Sequence, residues 1–364
     1  MNPAIVVPCY NRVSSLNLLL HSIKISEFPE GPIPLVFSVD FSGDSSVAEF
    51  VHVFEWRYGP KKIIEHSKNL GLRENILFCG DLTVEYGAVI VLEDDLVVGP
   101  SFYQYASKSL KFFALEKRVA GISLYSYERS EVSGNRFRPL DDGNDNFFIQ
   151  WPGSRGQAWS EVQWQEFRKW YREERGPIQE SFIPNKAKSW PESSWKKYFL
   201  QYLVETNRYF CYPRRSYSTA TGTPGTHVGG GSIPIVEVGI SQSRSIDWKF
   251  VSTESSQIRY DSYFEIEPEW FRRNVSTLQN YDFEVDLNGS KEPFFLESSF
   301  VLSIRSSKEP IFSYGFTVYP PELNVFYGVK GNDFSLSKGV DLLPKIPFVR
   351  EGKIISRFEK SVNH

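Results

Sequence analysis

Val89-Ile-Val-Leu-Glu93-Asp94-Asp95-Leu96 is the stretch from which the rest of this chain is read. The continuous apolar run Ala88–Leu92 is the pattern of a buried parallel strand. Three acids follow at once, which is an expensive arrangement, because neighbouring carboxylates repel one another and resist burial. In open α/β sheets, ligands bind at the carboxyl ends of strands, where these acids fall. A divalent cation shared between the acids and a diphosphate relieves the repulsion, and Mg²⁺ or Mn²⁺ suits one or two carboxylates completed by phosphate oxygens and water. The alternative is an acidic turn that favours the start of the next helix.

The sequence on either side places that strand in a βαβ series. Ala4–Pro8, Leu35–Asp40 and Lys62–His66 read as strands, and Val119–Leu124 as a further one. Val13, Leu16, Leu20 and Ile23 mark a helix, as do Ile76, Leu77, Gly80 and Val84 within Arg73–Tyr86. Gly99-Pro100 opens another, with Phe102, Ala106, Leu110 and Phe113 on its apolar face. Residues 126–150 are polar and read as a loop. Thr219–Ser232 is glycine-rich, a linker or an active-site loop. Beyond residue 233 the pattern turns β-like, at Phe300–Ile304 and Gly315–Tyr319. The expected fold is α/β, a Rossmann-like mixed sheet flanked by helices, in a main domain of 1–232 with halves 1–125 and 126–232. A smaller β-rich α+β region of unassigned role spans 233–364.

Composition narrows the class. Of 364 residues, 41 are basic and 44 acidic, a net charge of −3 with no dense basic tract, which disfavours nucleic acid and strong attraction to anionic membranes. Three scattered cysteines, Cys9, Cys79 and Cys211, point to a reducing compartment, and no leader or spanning segment is read, so a cytoplasmic location is expected. In that setting Asn274-Val-Ser and Asn288-Gly-Ser carry little weight as glycosylation acceptors. The aromatic share of 16% is high, and six tryptophans fall between Trp151 and Trp195. Trp159, Trp164 and Trp170, at helical spacing, suit a core, while Trp151 and Trp159, flanking a glycine-containing turn, are also candidates to stack on a sugar. Arg155 between them can pair with a phosphate or an acidic sugar.

Two further positions stand out. Asp40 ends a strand, as the acid triplet does, and can accept from a base or ribose or cap a turn. His227 lies among glycines, where an imidazole can bind metal or donate to a diphosphate, or be an ordinary loop histidine.

Ala4-Ile-Val-Val-Pro-Cys-Tyr-Asn-Arg12, Phe37-Ser-Val-Asp40 and Val91-Leu-Glu-Asp-Asp-Leu-Val-Val-Gly-Pro-Ser-Phe-Tyr103 together resemble the inverting GT-A glycosyltransferases. The likeness is to the N-acetylglucosaminyltransferases that extend mannose, and it continues at Gly153-Ser-Arg-Gly-Gln-Ala-Trp159 over roughly residues 4–230. It implies a UDP-sugar donor, a glycan or lipid-linked saccharide acceptor with peripheral membrane contact, and transfer assisted by Mn²⁺ or Mg²⁺. By the same resemblance Pro8, Tyr10 and Arg12 lie along the nucleotide, Asp40 holds uracil or ribose, and Asn69 and Arg73 reach the base or diphosphate. Glu93 and Asp94 bind ribose and donor sugar, and Asp95 holds the metal. One departure matters. Where the family carries its general-base acid, this chain has Trp195-Lys196-Lys197-Tyr198, so Glu192 is the first candidate base and the Asp141–Asp145 loop, with Asp145, the second. Two other readings are a non-catalytic nucleotide-sugar binder and a sugar nucleotidyltransferase. The latter lacks its glycine-rich loop after the first strand.

Overall fold

In a computed structural model the described residues are 2–221, 237–244 and 246–342. They form two compact units. The first runs to Tyr127 and resumes over Asp141–Ser256; the second comprises Glu128–Leu140 and the chain from Gln257. The division thus falls at 256, where the sequence pattern suggested 232, and it takes 128–140 out of the first unit. The cause is aromatic. Trp248 and Phe250 pack against Tyr105, with ring centroids 5.9 and 5.8 Å away, and Trp248 donates to the Tyr217 hydroxyl at 2.7 Å.

In the first unit the chain runs β1 (Ala4–Cys9), α1 (Val13–Lys24), β2 (Leu35–Val39), α2 (Ser46–Val53), β3 (Lys61–Glu65), α3 (Gly71–Asp81), α4 (Thr83–Tyr86) and β4 (Ala88–Val91). It continues through β5 (Leu96–Val98), α5 (Phe102–Phe112), β6 (Val119–Ser123), β7 (Asn146–Ile149), β8 (Gln157–Ser160) and α6 (Glu161–Lys169). Then come α7 (Asn185–Lys188), α8 (Trp195–Glu205), β9 (Tyr209–Pro213) and β10 (Ser218–Ala220). The main sheet is ordered β7-β9-β6-β8-β4-β1-β2-β3. Strands β1 to β4 are mutually parallel, β8 is antiparallel to both β4 and β6, and β9 runs parallel to β6. This is the mixed sheet flanked by helices that the sequence implied. The stretch 126–150, read as a loop, supplies β7 at its end, pairing with β9 through four buried residues.

Burial explains these elements. Strands β1, β2 and β6 are buried along their whole length, as expected where helices cover both faces. Helix α1 buries Leu16, Leu19, Leu20 and Ile23, and α6 begins in a capping box in which Ser160 and Gln163 satisfy each other's end of the helix. At α3 the contact is too close for any side chain. A Cβ on Gly80 would lie 2.1 Å from Cζ2 of the fully buried Trp164.

The second unit holds a smaller sheet ordered Phe283–Asp286, Phe300–Ser303, Phe334–Ser337, Phe312–Tyr314, so the region is β-rich as expected. Gly315–Tyr319, read as a strand, is irregular. Its amides go to side chains instead of a ladder: Phe316 donates to Asp333 at 2.9 Å, and Thr317 and Val318 donate to Asn324 at 2.7 and 2.9 Å. Two buried cations are paired here, Lys291 with Asp261 and Glu284, and Arg305 with Asp286. Among the described residues no helix is long and apolar enough to cross a membrane.

The Gly80 contact yields a test. Gly80→Val overpacks the α3–Trp164 contact and should lower stability by about 2 kcal/mol or more in urea melts. An unchanged midpoint would show that α3 does not pack on Trp164 this closely.

Candidate active site

The carboxyl ends of β1, β2 and β4 open onto a cleft of 430 Å³ lined by Pro8, Tyr10, Arg12, Asp40, Asn69, Asn75 and the acids Glu93 to Asp95. That size suits a nucleotide-sized ligand. After β4 the chain turns, with the Leu96 amide donating back to the Glu93 carbonyl at 3.2 Å, and β5 then pairs with β10. The Asp95 carbonyl accepts the Thr221 amide at 2.9 Å, so the stem of the glycine-rich stretch is tied to the acid motif. His227 itself lies outside the described residues.

Arg12, three residues beyond β1, joins two of the acids. Its guanidinium donates to Asp94 Oδ1 and, at 2.9 Å, to Asp95 Oδ2. The Asp94 side chain is 4% exposed and that of Asp95 30%, so the first is held inside and the second faces the cleft. Burial pushes the Asp94 carboxyl up, and Arg12 opposes that shift. Glu93 is pushed up to about 8 by burial and by Asp95 and Asp94, against the pull of Arg12 and Arg155. At neutral pH it holds its proton for the most part and can donate a hydrogen bond. Three adjacent acids are thus accommodated by a buried ion pair, a proton and one carboxylate facing the cleft.

Asp40 is buried and its oxygens are already engaged. Oδ1 accepts the amides of Phe41 and Leu70 at 2.9 and 2.7 Å, and Oδ2 that of Gly71 at 2.9 Å. It therefore caps the start of α3 and fixes where that helix meets the cleft. Asn69 donates to the Phe41 carbonyl at 3.0 Å and holds the same loop. Under the cleft, Ser38 donates to Asn75 at 2.6 Å and contacts His66 Nε2 at 2.9 Å, so His66 is structural.

The remaining candidates separate. Arg73 does not line the cleft itself but follows the lining Leu72, and it donates to the Glu192 carbonyl at 2.6 Å. Glu192 lies beside Ser193, which lines the cleft, but its carboxylate is taken by Lys197 at 2.9 Å and by the Tyr198 hydroxyl. Those two bonds lower its pKa. Asp145 is not brought to the cleft. It precedes β7, four strands from β4 at roughly 4.8 Å per strand, and accepts the Lys249 amide at 2.8 Å. Trp151 and Trp159 are fully buried, so neither ring is available to a sugar. Trp159 packs on Trp164 and Phe199, and Trp151 on Trp190. Arg155 lies over Tyr125 at 4.9 Å and acts on Glu93. The sequence reading missed Asn75, a buried polar residue on an otherwise apolar helix face, which was the available signal. Lys196, read from the sequence only as standing in the family's general-base region, has its ammonium 5.2 and 5.4 Å from the rings of Trp151 and Trp190 and donates to Tyr127 at 3.2 Å.

Among the described residues no three His, Cys, Asp or Glu side chains gather as a metal cage. Asp95, a hard oxygen donor facing the cleft, fits a cation that takes one carboxylate and completes its shell with phosphate oxygens and water.

No family model and no curated protein matches the chain. Among solved structures it is similar to residues 1–349 of TarS from S. aureus, with a TM-score of 0.39 and 14% identity over 61% of each chain. It is also similar to GalNAc-T7 in complex with UDP, GalNAc and Mn²⁺, with a TM-score of 0.40 and 12% identity over 59% of this chain and 42% of that one. A third is the mannosyltransferase PcManGT of Pyrobaculum calidifontis with GDP-Man and Mn²⁺, with a TM-score of 0.36, 13% identity and coverage of 59% and 58%. The chain thus spans about three fifths or less of these proteins. Likeness at these scores is too partial to bear on activity.

The Arg12 pair can be tested directly. Arg12→Met leaves Asp94 buried without its partner and should cost about 3 kcal/mol of stability. Asp94→Asn in the same chain should restore much of that loss. Equal stability of Arg12→Met and the parent in urea melts would show that the pair does not hold β1 to the acid turn.

Proposed function

We propose that this chain is a GT-A glycosyltransferase that moves a hexosyl or N-acetylhexosaminyl group from a UDP-sugar to a glycan hydroxyl by inverting displacement. The observation that supports it is the convergence of Arg12, Asp40, Asn69 and the Glu93–Asp95 acids on one cleft at the carboxyl ends of parallel strands. In this reading Pro8 and Tyr10 flank the nucleoside and the Asp40–Asn69 edge faces its base and ribose. Glu93 and Asp94 face the ribose and the donor sugar. Asp95 would hold the Mn²⁺ or Mg²⁺, which when bound neutralises charge on the departing diphosphate. Arg12 pairs with Asp94 and orients it behind Asp95. The reaction belongs to the cytoplasm, where the three buried thiols remain free, and to surface-polysaccharide or related glycan synthesis, with the acceptor offered free or from a membrane surface.

Glu192 is the base of this reading, since an inverting transfer removes the acceptor proton as its oxygen attacks. Its bonds to Lys197 and Tyr198 favour a second reading, a nucleotide-sugar binder that performs no transfer, because a carboxylate so held is a weakened base. Whether the chain turns over its donor separates the two.

UDP titrated by calorimetry should bind in the presence of Mn²⁺ and at least tenfold more weakly without it, and Asp95→Ala should remove the metal dependence. UDP binding absent under both conditions would sink the donor reading. Glu192→Gln should leave UDP affinity intact and reduce transfer by about 10²-fold or more. Since the carboxyl is held below its usual range, the base form persists on acidification. The acidic limb of kcat/KM should therefore fall below the pH expected of an ordinary glutamate. A limb near neutrality would assign the base elsewhere.

A further inference from the structure

At the rim of the cleft, next to Ser193, two guanidinium groups converge on one aromatic ring. Arg175 lies 4.7 Å and Arg73 5.6 Å from the centroid of Tyr198, and Arg175 is also 4.6 Å from that of Tyr171. The backbone builds this arrangement. Residues Trp170–Glu174 form a π-helical turn after α6, closed by the Arg175 amide donating to the Trp170 carbonyl at 2.9 Å. Such wide turns are rare and concentrate at functional sites. This one places Tyr171 and Arg175 together against the first turn of α8.

The charges around the stack are otherwise committed. The Glu192 carboxylate is taken by Lys197 and Tyr198, and Glu174 turns to Lys169 at 3.6 Å. Arg73 bonds Glu74 through Nε and the Glu192 carbonyl through Nη1. Arg175, by contrast, is exposed and has no carboxylate partner among the described residues. An arginine held by two tyrosine faces has already lost much of its rotamer freedom, so it binds an oxyanion at lower entropic cost than a free surface arginine.

We propose that the Tyr171–Arg175–Tyr198–Arg73 stack is an anion subsite for the acceptor, and that the acceptor saccharide carries a phosphate or carboxylate beside its attacking hydroxyl. This rests on the glycosyltransferase reading and adds to it the acceptor's chemical class. Ser193 and Leu72 line the cleft, Glu192 immediately precedes the first and Arg73 immediately follows the second, so an anion on the stack lies at the cleft's mouth.

Glucose 6-phosphate, glucuronate and glucose, each titrated into the full chain with UDP and Mn²⁺ present, provide the test. At least one charged sugar should bind about tenfold or more tightly than glucose, and which one does so identifies phosphate or carboxylate as the anion. Arg175→Ala should lose that preference, and Arg175→Lys, which keeps charge but not the planar stacking, should retain only part of it. UDP affinity is the second readout and should stay within about twofold in Arg175→Ala. Charged sugars that bind no better than glucose, or an Arg175→Ala chain that binds them as the parent does, would overturn the subsite. Loss of UDP affinity along with the sugar would also overturn it, assigning the stack to the donor diphosphate. Failure of UDP to bind the parent chain counts against the donor reading alone, because the sugar titrations repeated without UDP still decide the subsite.

Discussion

The fold turns on what is done with negative charge at the end of β4. A parallel strand buried on both faces cannot release three carboxylates into the interior unless each is neutralised or reaches water. Arg12 answers this for Asp94 and Asp95, a retained proton for Glu93, and the open side of the cleft for part of Asp95. The pair also sets geometry. Arg12 follows β1 and the acids follow β4, and because those strands are hydrogen-bonded neighbours, a guanidinium reaches across one strand spacing.

Around that pair, the cleft is assembled from groups whose first task is to hold backbone. Asp40 caps α3, Asn69 holds the loop after β2, and the Asp95 carbonyl anchors Thr221. Asp40 and Asp95 lie at strand ends and Asn69 just before α3, where no ladder runs and peptide groups need other partners. This side of the cleft is therefore built from backbone caps at the carboxyl edge of the sheet. The opposite rim is made differently, from aromatic rings and cations around α8. There Lys196 is enclosed by Trp151, Trp190 and Tyr127, and Tyr198 carries two arginines.

Much of the first side was legible in the sequence, because strand periodicity and an acid after an apolar run are local signals. Leu35–Val39 and Ala88–Val91 lie where the alternation and the apolar run placed them, and Asp40 and Glu93–Asp95 line one cleft as their strand-end positions implied. The second side was not legible. Trp151 and Trp159 flank a turn that looks exposed, yet Trp190 covers the first and Trp164 and Trp195 the second, and a single sequence holds no record of the covering by residues more than 30 positions on. Asp145 failed as a site residue for a related reason. It ends a polar stretch rich in acids, but strand order carries it four strands from β4. Gly315–Tyr319 has strand composition, and Asn324 and Asp333 take the amides a ladder would have used.

The sequence by itself determined the parallel core and the chemistry at its carboxyl edge, since both follow from short-range patterns that physical chemistry allows few ways to satisfy. Only the tertiary structure decided which cation meets which acid, which tryptophans are buried, and that Arg175 stands without a carboxylate among the described residues. Those outcomes depend on contacts between residues far apart in the chain. Whether a charge is paired or free is a property of that proximity and not of the residue.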